Sequence, residues 1–470
     1  MNGSPEGPNA PPDADATPAA MAEWLLGEGH CAPAADAATA RAWAWALKDL
    51  CYAAWMREPA RAGRAAAAVQ ALAARHAGDA ELAALAAWTG GITALTRGAM
   101  AEALALLDRA EAGFVAQGAA LLAGQTQVPA MMALSMLGRT DEAAERGERA
   151  HAAFVAHGDT AAAAKVQINL GSLRLSHGRY PDAVRHYRQA AVLFARGGDM
   201  AHSVMADIGL GDALGALGDF TEADRILARA AQRAGHHGLP MLSAMATESV
   251  ALLHLARGAY GPALQGLESA RRHYEQLDLP QHQATAERQL ADSYLALRLV
   301  PEALALYEKA LARFEALDLQ PEQARARLQQ GRALARLRRP DEAHAALQQA
   351  LALFQATGDT VGPAAVALAT AELAAAAGDA AAATHGAQAA IAAYRLADRP
   401  DGVLQAELLL ARLALQRGAL DEAAKAFDHA WHDAERLPLM PAQVLALTGL
   451  GEVAQARGDI ATAEAALERA

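Results

Sequence analysis

Sixteen histidines and two cysteines are the side chains of this 470-residue chain that metal or nucleophilic chemistry would recruit first. His429 and His432 stand three apart on a predicted helix, a spacing at which two imidazoles can share an ion. Zinc wants three or four converging ligands, and the sequence supplies only Asp433 nearby and no cysteine, so solvated surface histidines are the better reading. His236 and His237 are adjacent, and sequence neighbours rarely chelate one ion together. Cys31 follows His30 directly, but adjacent residues cannot present a thiol and a base to one another in the geometry a nucleophile needs. Paired carboxylates recur at Asp141–Glu142, Asp341–Glu342 and Asp421–Glu422. They open predicted helices, where acidic groups favour the positive end of the helix dipole, so their recurrence is structural. HExxH, CxxC, GxxxxGK[ST] and GxSxG are all missing from the sequence. These residues yield no catalytic group, no metal site and no cofactor motif.

What remains is charge on a surface. Six arginines (Arg325, Arg327, Arg332, Arg336, Arg338 and Arg339) crowd one short stretch of a chain whose formal net charge is −12. The planar guanidinium fork suits carboxylates and phosphates. An anionic peptide or tail docking there competes with a plainer reading, a solvated face paired with Asp292, Glu302 or Glu342. The acidic balance of the whole chain disfavours nucleic acid and anionic lipid as partners.

Composition narrows the elements that position these groups. Hydrophobic residues make up 53% of the chain but aromatics only 4%, and alanine fills the difference. Alanine is the best helix former, whereas sheets need β-branched and aromatic residues, so an all-β fold is excluded. The two cysteines, Cys31 and Cys51, make no disulfide framework and fit a reducing cytoplasm. The first twenty residues lack both the basic and the apolar segment of a secretory signal, and no strongly apolar run is long enough to span a membrane. Only four lysines stand among 41 basic residues, an arginine excess that reads as codon bias.

A forty-residue period organises the chain. Counting by forties from Gly178 lands on Gly98, Gly138, Gly218, Gly258, Arg298, Arg338, Gly378, Gly418 and Gly458. Five places further on, every residue from Ala103 to Ala463 is alanine, and so is every residue twelve places on, from Ala110 to Ala470. Nine places on stand large residues such as Leu107, Tyr187, Leu227 and Tyr307, and sixteen places on mostly aromatics such as Phe114, Phe194 and Phe314. Columns 5, 9, 12 and 16 share one helix face by their spacing. Column 20 holds helix breakers throughout, from Gly118 to Asp398 and Pro438. Seven places before the origin the residue is Gly or Ala, with Met131 the departure. Each unit is thus a pair of helices about seventeen residues and ~25 Å long. Small columns let the pair approach, and large ones fill the space to the next unit. Such hairpins bury their apolar faces only by stacking, as in a solenoid.

Small residue, seven, glycine, five, alanine, seven, alanine, with Tyr180, Phe220 or Tyr260 two places after the glycine, resembles the tetratricopeptide repeat. The resemblance covers about residues 80–470 and implies an all-α, right-handed α-solenoid of stacked antiparallel helix pairs, non-catalytic, binding a protein or peptide partner in a concave groove. The early tryptophan and the terminal proline of the usual repeat are mostly missing, and the unit is six residues longer than the common one of 34. In that family the first helix of each unit lines the groove. The implied groove columns here carry Lys165, Asn169 and Ser172, then Asp212, then Gln289 and Asp292, and then Arg325, Gln329, Arg332 and Arg336. The last set is where an acidic partner would dock, the solvated charged face being the alternative.

The ends differ from the middle. Residues 1–19 carry five prolines without periodicity and are expected to be a disordered tail. Residues 20–78, with Trp24, Trp43, Trp45 and Trp55, read as degenerate, tryptophan-rich capping helices; a partner pocket is the sharper alternative. Residues 80–470 make ten units, the last stopping at Ala470 before its own breaker, which raises the expectation of a longer protein. Long arrays of forty-residue units are similar to the N-terminal arms of bacterial CHAT-domain (caspase-like) proteases and to the sensor arms of ATPase-type transcription regulators. That resemblance implies a regulatory arm acting on a C-terminal effector domain of the same protein. The alanine-rich stretch 360–398 buries little apolar area per contact and is expected to be a bendable joint.

Overall fold

The computed structural model describes residues 12, 16–27, 30–55, 58–437 and 439–470, so most of the expected N-terminal tail, and Pro438, lie outside the described residues. Among the described residues all regular structure is α-helical, and the fold is an all-α solenoid. The chain forms two compact units, residues 1–167 and 168–470. The first holds α1 (Pro18–Leu25), α2 (Ala37–Ala54), α3 (Pro59–Arg75), α4 (Ala80–Thr96), α5 (Met100–Ala116), α6 (Ala120–Met136) and α7 (Thr140–Ala156). The boundary falls inside α8 (Thr160–Ser176). The second unit continues with α9 (Tyr180–Gly197), α10 (Met200–Leu217), α11 (Phe220–His236), α12 (Pro240–Ala256), α13 (Tyr260–Gln276), α14 (Pro280–Ala296) and α15 (Val300–Ala316). Then come α16 (Gln320–Arg336), α17 (Pro340–Ala356), α18 (Gly362–Ala376) and α19 (Ala380–Leu396). It ends with α20 (Pro400–Gln416), α21 (Leu420–Arg436), α22 (Met440–Ala456) and α23 (Ile460–Arg469).

The two breaker columns do the same job, so a new helix begins almost every twenty residues. Each breaker from Gly98 to Gly418 has positive φ, between 50° and 89°. The residue after it closes a bond to the carbonyl five back, as in Ala99 N to Ala94 O (3.0 Å) and Arg179 N to Arg174 O (2.9 Å), the Schellman pattern that ends a helix. Where glycine is replaced, Asp278, Arg298, Asp318, Arg338 and Asp398 are forced into the same left-handed conformation. Asp79, Asp199, Asp219 and Asp379 then cap the following helix through their side chains. Only α18 starts late, at Gly362, because Asp359 accepts from the N–H groups of Val361 and Gly362 and delays the first turn.

Packing explains the columns. From Ala103 to Ala430 every alanine of columns 5 and 12 has zero exposure. A Cβ added to Gly91 would lie 2.7 Å from Leu107, one on Gly211 2.4 Å from Leu227, and one on Gly331 2.8 Å from Leu347. The small column therefore sits under the large column of the same unit. Where the small column holds Met131, the large column holds Gly147, so the two sizes are exchanged. Aromatics at column 16 such as Phe114 and Phe314 are fully buried, each worth about 1.5–3 kcal/mol of transfer free energy.

In the first unit Trp43 and Trp88 are buried, and Trp24, Trp45 and Trp55 are half-buried. Trp88 is 1% exposed, donates its ring N–H to Tyr52 Oη (2.9 Å) and meets Trp45, Tyr52 and Phe114 edge-on. The Lys48 ammonium lies 5.1–5.6 Å from the Trp45, Trp88 and Tyr52 rings, a cation–π contact that fills the cage from within.

In the second unit α10 touches α12, α16 touches α14 and α18, and α20 touches α18 and α22. Among the described residues of this unit, odd-numbered helices make no comparable contact with one another. The even helices, the first of each pair, therefore form the closely spaced inner row.

Candidate functional site

Helical spacing puts positions 325, 329, 332 and 336 on one stripe of α16, but the structure divides them. Arg325 is exposed and spends its charge on Glu322 of its own helix (2.6 Å). Gln329 is half-buried on the same helix. Arg332 reaches α18, where its Nε stands 3.6 Å from Glu372 without a hydrogen bond. Arg336 donates from Nη1 to the Leu295 carbonyl (2.7 Å) at the end of α14. The flanking arginines turn elsewhere: Arg327 pairs with Glu315 (2.8 Å) and Arg339 with Glu342 (2.5 Å). The six arginines of the sequence cluster do not converge.

The remaining groove residues are spread along the inner row. Asp292 on α14 accepts from Tyr307 Oη (2.6 Å) and pairs with Arg288 (2.6 Å). Burial pushes its carboxyl up, with Arg288 pulling the other way. Gln289, one turn earlier, keeps a buried Oε1 with no hydrogen-bond partner among the described residues. Asp212 on α10 lines a small apolar pocket of about 220 Å³ with Ser249 and Leu252. Burial raises its carboxyl to about 6, Ser249 opposing and Glu248 adding to the shift. Ser172 on α8 lies 2.8 Å from Tyr187 Oη, and Asn169 is half-buried beside it in sequence. Lys165 is exposed and belongs to the first unit.

What the structure does assemble is a cavity of about 730 Å³ against α16, α18 and α20. Arg332 and Arg336 line it with Glu372, Arg412 of α20, Asp401 and Tyr180. Its apolar wall includes Leu408, Leu409 and Leu413. Tyr180 arrives from the start of α9 because the α8–α9 turn is tied to the α19–α20 turn. Arg179 pairs with Asp398 (3.2 Å), and Arg399 donates from Nη1 to the Ser176 carbonyl (3.1 Å). The same guanidinium forks onto Asp401 at 2.6 and 2.8 Å and holds that carboxyl below the usual range against the burial that opposes it.

Two of these lining residues were within reach of the sequence. Glu372 and Arg412 follow Arg332 by one and two periods, in the same column, and Leu408 lies one turn before Arg412. Tyr180, Asp401 and Arg399 carry no such signal. Glu407, His429 and Asp433 were also missed as a group: they bring one ligand atom each within 4.8 Å, across α20 and α21. Arg395 already holds Glu407 (3.2 Å) and Arg436 pairs with Asp433, so two of the three ligands face cationic competitors.

Residues 282–356 match the family model of the tetratricopeptide repeat. No curated protein sequence matches the chain. Among solved structures, a Rap protein complexed with Competence and Sporulation Factor is similar at 14% identity, with a TM-score of 0.55 over 85% of this chain and 98% of that one. Aspartyl phosphate phosphatase F from Bacillus subtilis is similar at 12% identity, with a TM-score of 0.47 over 88% of this chain and 98% of that one. No described helix is long and apolar enough to cross a membrane. The likeness to the Rap structure lies in the fold; residues 282–356 match the tetratricopeptide repeat, and the chain around them is an all-α solenoid.

Proposed function

We propose that this chain is a non-catalytic scaffold that binds a protein or peptide partner along the inner helix row of its second unit. The observation that carries the reading is the excess of guanidiniums over carboxylates where α16, α18 and α20 face the cavity. Asp212 and Asp292 sit on α10 and α14, and Arg332, Arg336 and Arg412 on α16 and α20. A partner with an acidic segment is complementary to the basic stretch, where guanidinium–carboxylate pairs fix register as well as attraction. The Rap protein with the similar fold was solved with Competence and Sporulation Factor bound, which supports a binding role for such a fold. The likeness to CHAT-protease arms rests on no motif and adds no residue to the site.

The test is capture with cross-linking. Partners retained by the wild-type chain should cross-link to inner-row residues of α14–α20, and the double variant Arg332→Glu/Arg336→Glu should lose them while keeping its helical circular dichroism. Undiminished capture, or cross-links confined to the odd-numbered helices, counts against the groove.

A further inference from the structure

The cavity beneath the tied turns has a chemistry that a long partner chain does not require. Its volume of about 730 Å³ falls within the range of small-molecule sites, which span roughly 300–1,000 Å³. Besides α16, α18 and α20 it is lined by Tyr180, brought from the start of α9, so this half-open chamber has a wall that the helix row alone does not supply.

Its charges do not cancel. Three guanidiniums, Arg332, Arg336 and Arg412, face it. Glu372 stands against Arg332 at 3.6 Å, and Arg336 has only a neutral carbonyl, Leu295 O. Among the described residues no carboxylate pairs with Arg412. Asp401, the other acid in the wall, is taken by the Arg399 fork. The wall thus keeps two positive charges in excess, beside an apolar surface of Leu408, Leu409 and Leu413. Arg332 Nε is buried without a hydrogen-bond acceptor and stands 3.6 Å from Glu372, which leaves the two Nη groups of that fork for the chamber.

We propose that this chamber binds a small aliphatic carboxylate, its head on Arg332, Arg336 and Arg412 and its chain on the leucine wall. The guanidinium fork matches a carboxylate in two bonds, and the leucines supply the apolar contact that a bare inorganic anion cannot use. The tie between Arg399 and Ser176 holds the start of α9, and with it Tyr180, at the edge of the chamber. The head group uses the three arginines that the proposed partner groove also offers, so a small carboxylate and an acidic partner segment would compete for them, yet the small ligand needs no partner to bind.

Decanoate is the probe, titrated into the full-length chain by calorimetry below its micelle-forming range, with decanol, decyltrimethylammonium and acetate as comparisons. Decanoate should bind one to one, and acetate and decanol each roughly tenfold or more weaker, as the loss of a charged hydrogen-bonded contact or of the chain predicts. Arg412→Leu should weaken decanoate by a similar factor, and Leu409→Trp should block it by filling the chamber without adding charge. Arg327→Leu, whose side chain lies on Glu315, should leave binding unchanged. Equal binding of decanoate and decanol, insensitivity to Arg412→Leu, or no binding of decanoate overturns the proposal. Preference for a peptide with a free C-terminus over decanoate also overturns it, and returns the chamber to the partner groove.

Discussion

Arg399 and Ser176 are 223 residues apart in sequence, yet the Nη1 of one donates to the carbonyl of the other at 3.1 Å. All three guanidinium nitrogens of Arg399 are engaged, the other two by Asp401. The contact brings the start of α9 to the edge of the half-open cavity within the second unit. Exposed ion pairs such as Arg179–Asp398 contribute only about 0–1 kcal/mol, so the half-buried Arg399 is the stronger of the two polar ties between the turns.

Replacing Arg399 with alanine should open the tie. Spin labels at Asp182 and Ala392, both in the second unit, report the distance; Cys31 is replaced first, while buried Cys51, its thiol pushed up to about 12, is inert to labelling. The distribution should broaden and move outward by several ångström. Arg399→Lys should not restore it, since an ammonium cannot bond Ser176 and both Asp401 oxygens in the same fixed plane. An unchanged distance in the alanine variant would show that packing, not the guanidinium, holds the turns together.

Asp212 should make the second unit less stable at neutral than at acidic pH. Its folded carboxyl lies at about 6, raised by burial above the ordinary aspartate value of about 3.9. The folded form therefore holds the proton more tightly, and the contribution is fully present below about pH 4 and lost as pH rises through about 6. Asp212→Asn should flatten that slope and raise stability at pH 7.5 by on the order of 1–2 kcal/mol. Urea melts at pH 4.5 and 7.5 check both signs; an unaltered slope in the variant assigns the pH dependence to other groups.

Gly211→Ala tests the close approach of paired helices. The new methyl would meet Leu227 at 2.4 Å, and overpacking of this kind costs roughly 1–3 kcal/mol, partly offset by the better helix propensity of alanine. The double variant Gly211→Ala/Leu227→Ala should be less destabilised than the sum of its singles, by about 1 kcal/mol. Strict additivity would mean that the two columns do not touch.

Arg298 and Arg338 occupy the left-handed breaker position at φ 62° and 55°. Each Arg→Gly change should stabilise by about 1 kcal/mol, because glycine adopts this conformation without the clash of a Cβ. Both side chains are exposed, so no packing is lost. Thermal melts of the two singles and the pair should show additive gains; a loss would reveal a contact of the arginine side chain that outweighs the strain.

The chemistry of the two breaker columns was open to reading by eye, and so was the pairing of small and large columns. One part of that pairing needed the structure to be noticed: Met131 departs from the small column, and Gly147 from the large one, in the same unit. The arginine cluster was legible as charge but not as a site. Helical spacing sets the face of α16 on which Arg325 and Arg332 stand, while Glu322 and Glu372 decide where each guanidinium goes.

By itself the sequence determined the helices, their breaks and the packing of each on the next, because these depend on φ preference and on side-chain size at short separation. It determined the fold class for the same reason. Only the tertiary structure decided that the α8–α9 turn meets the α19–α20 turn, since that meeting accumulates from small rotations over all the intervening helices. The group that Arg399 finds there is a backbone carbonyl, which every residue carries and no residue type can announce.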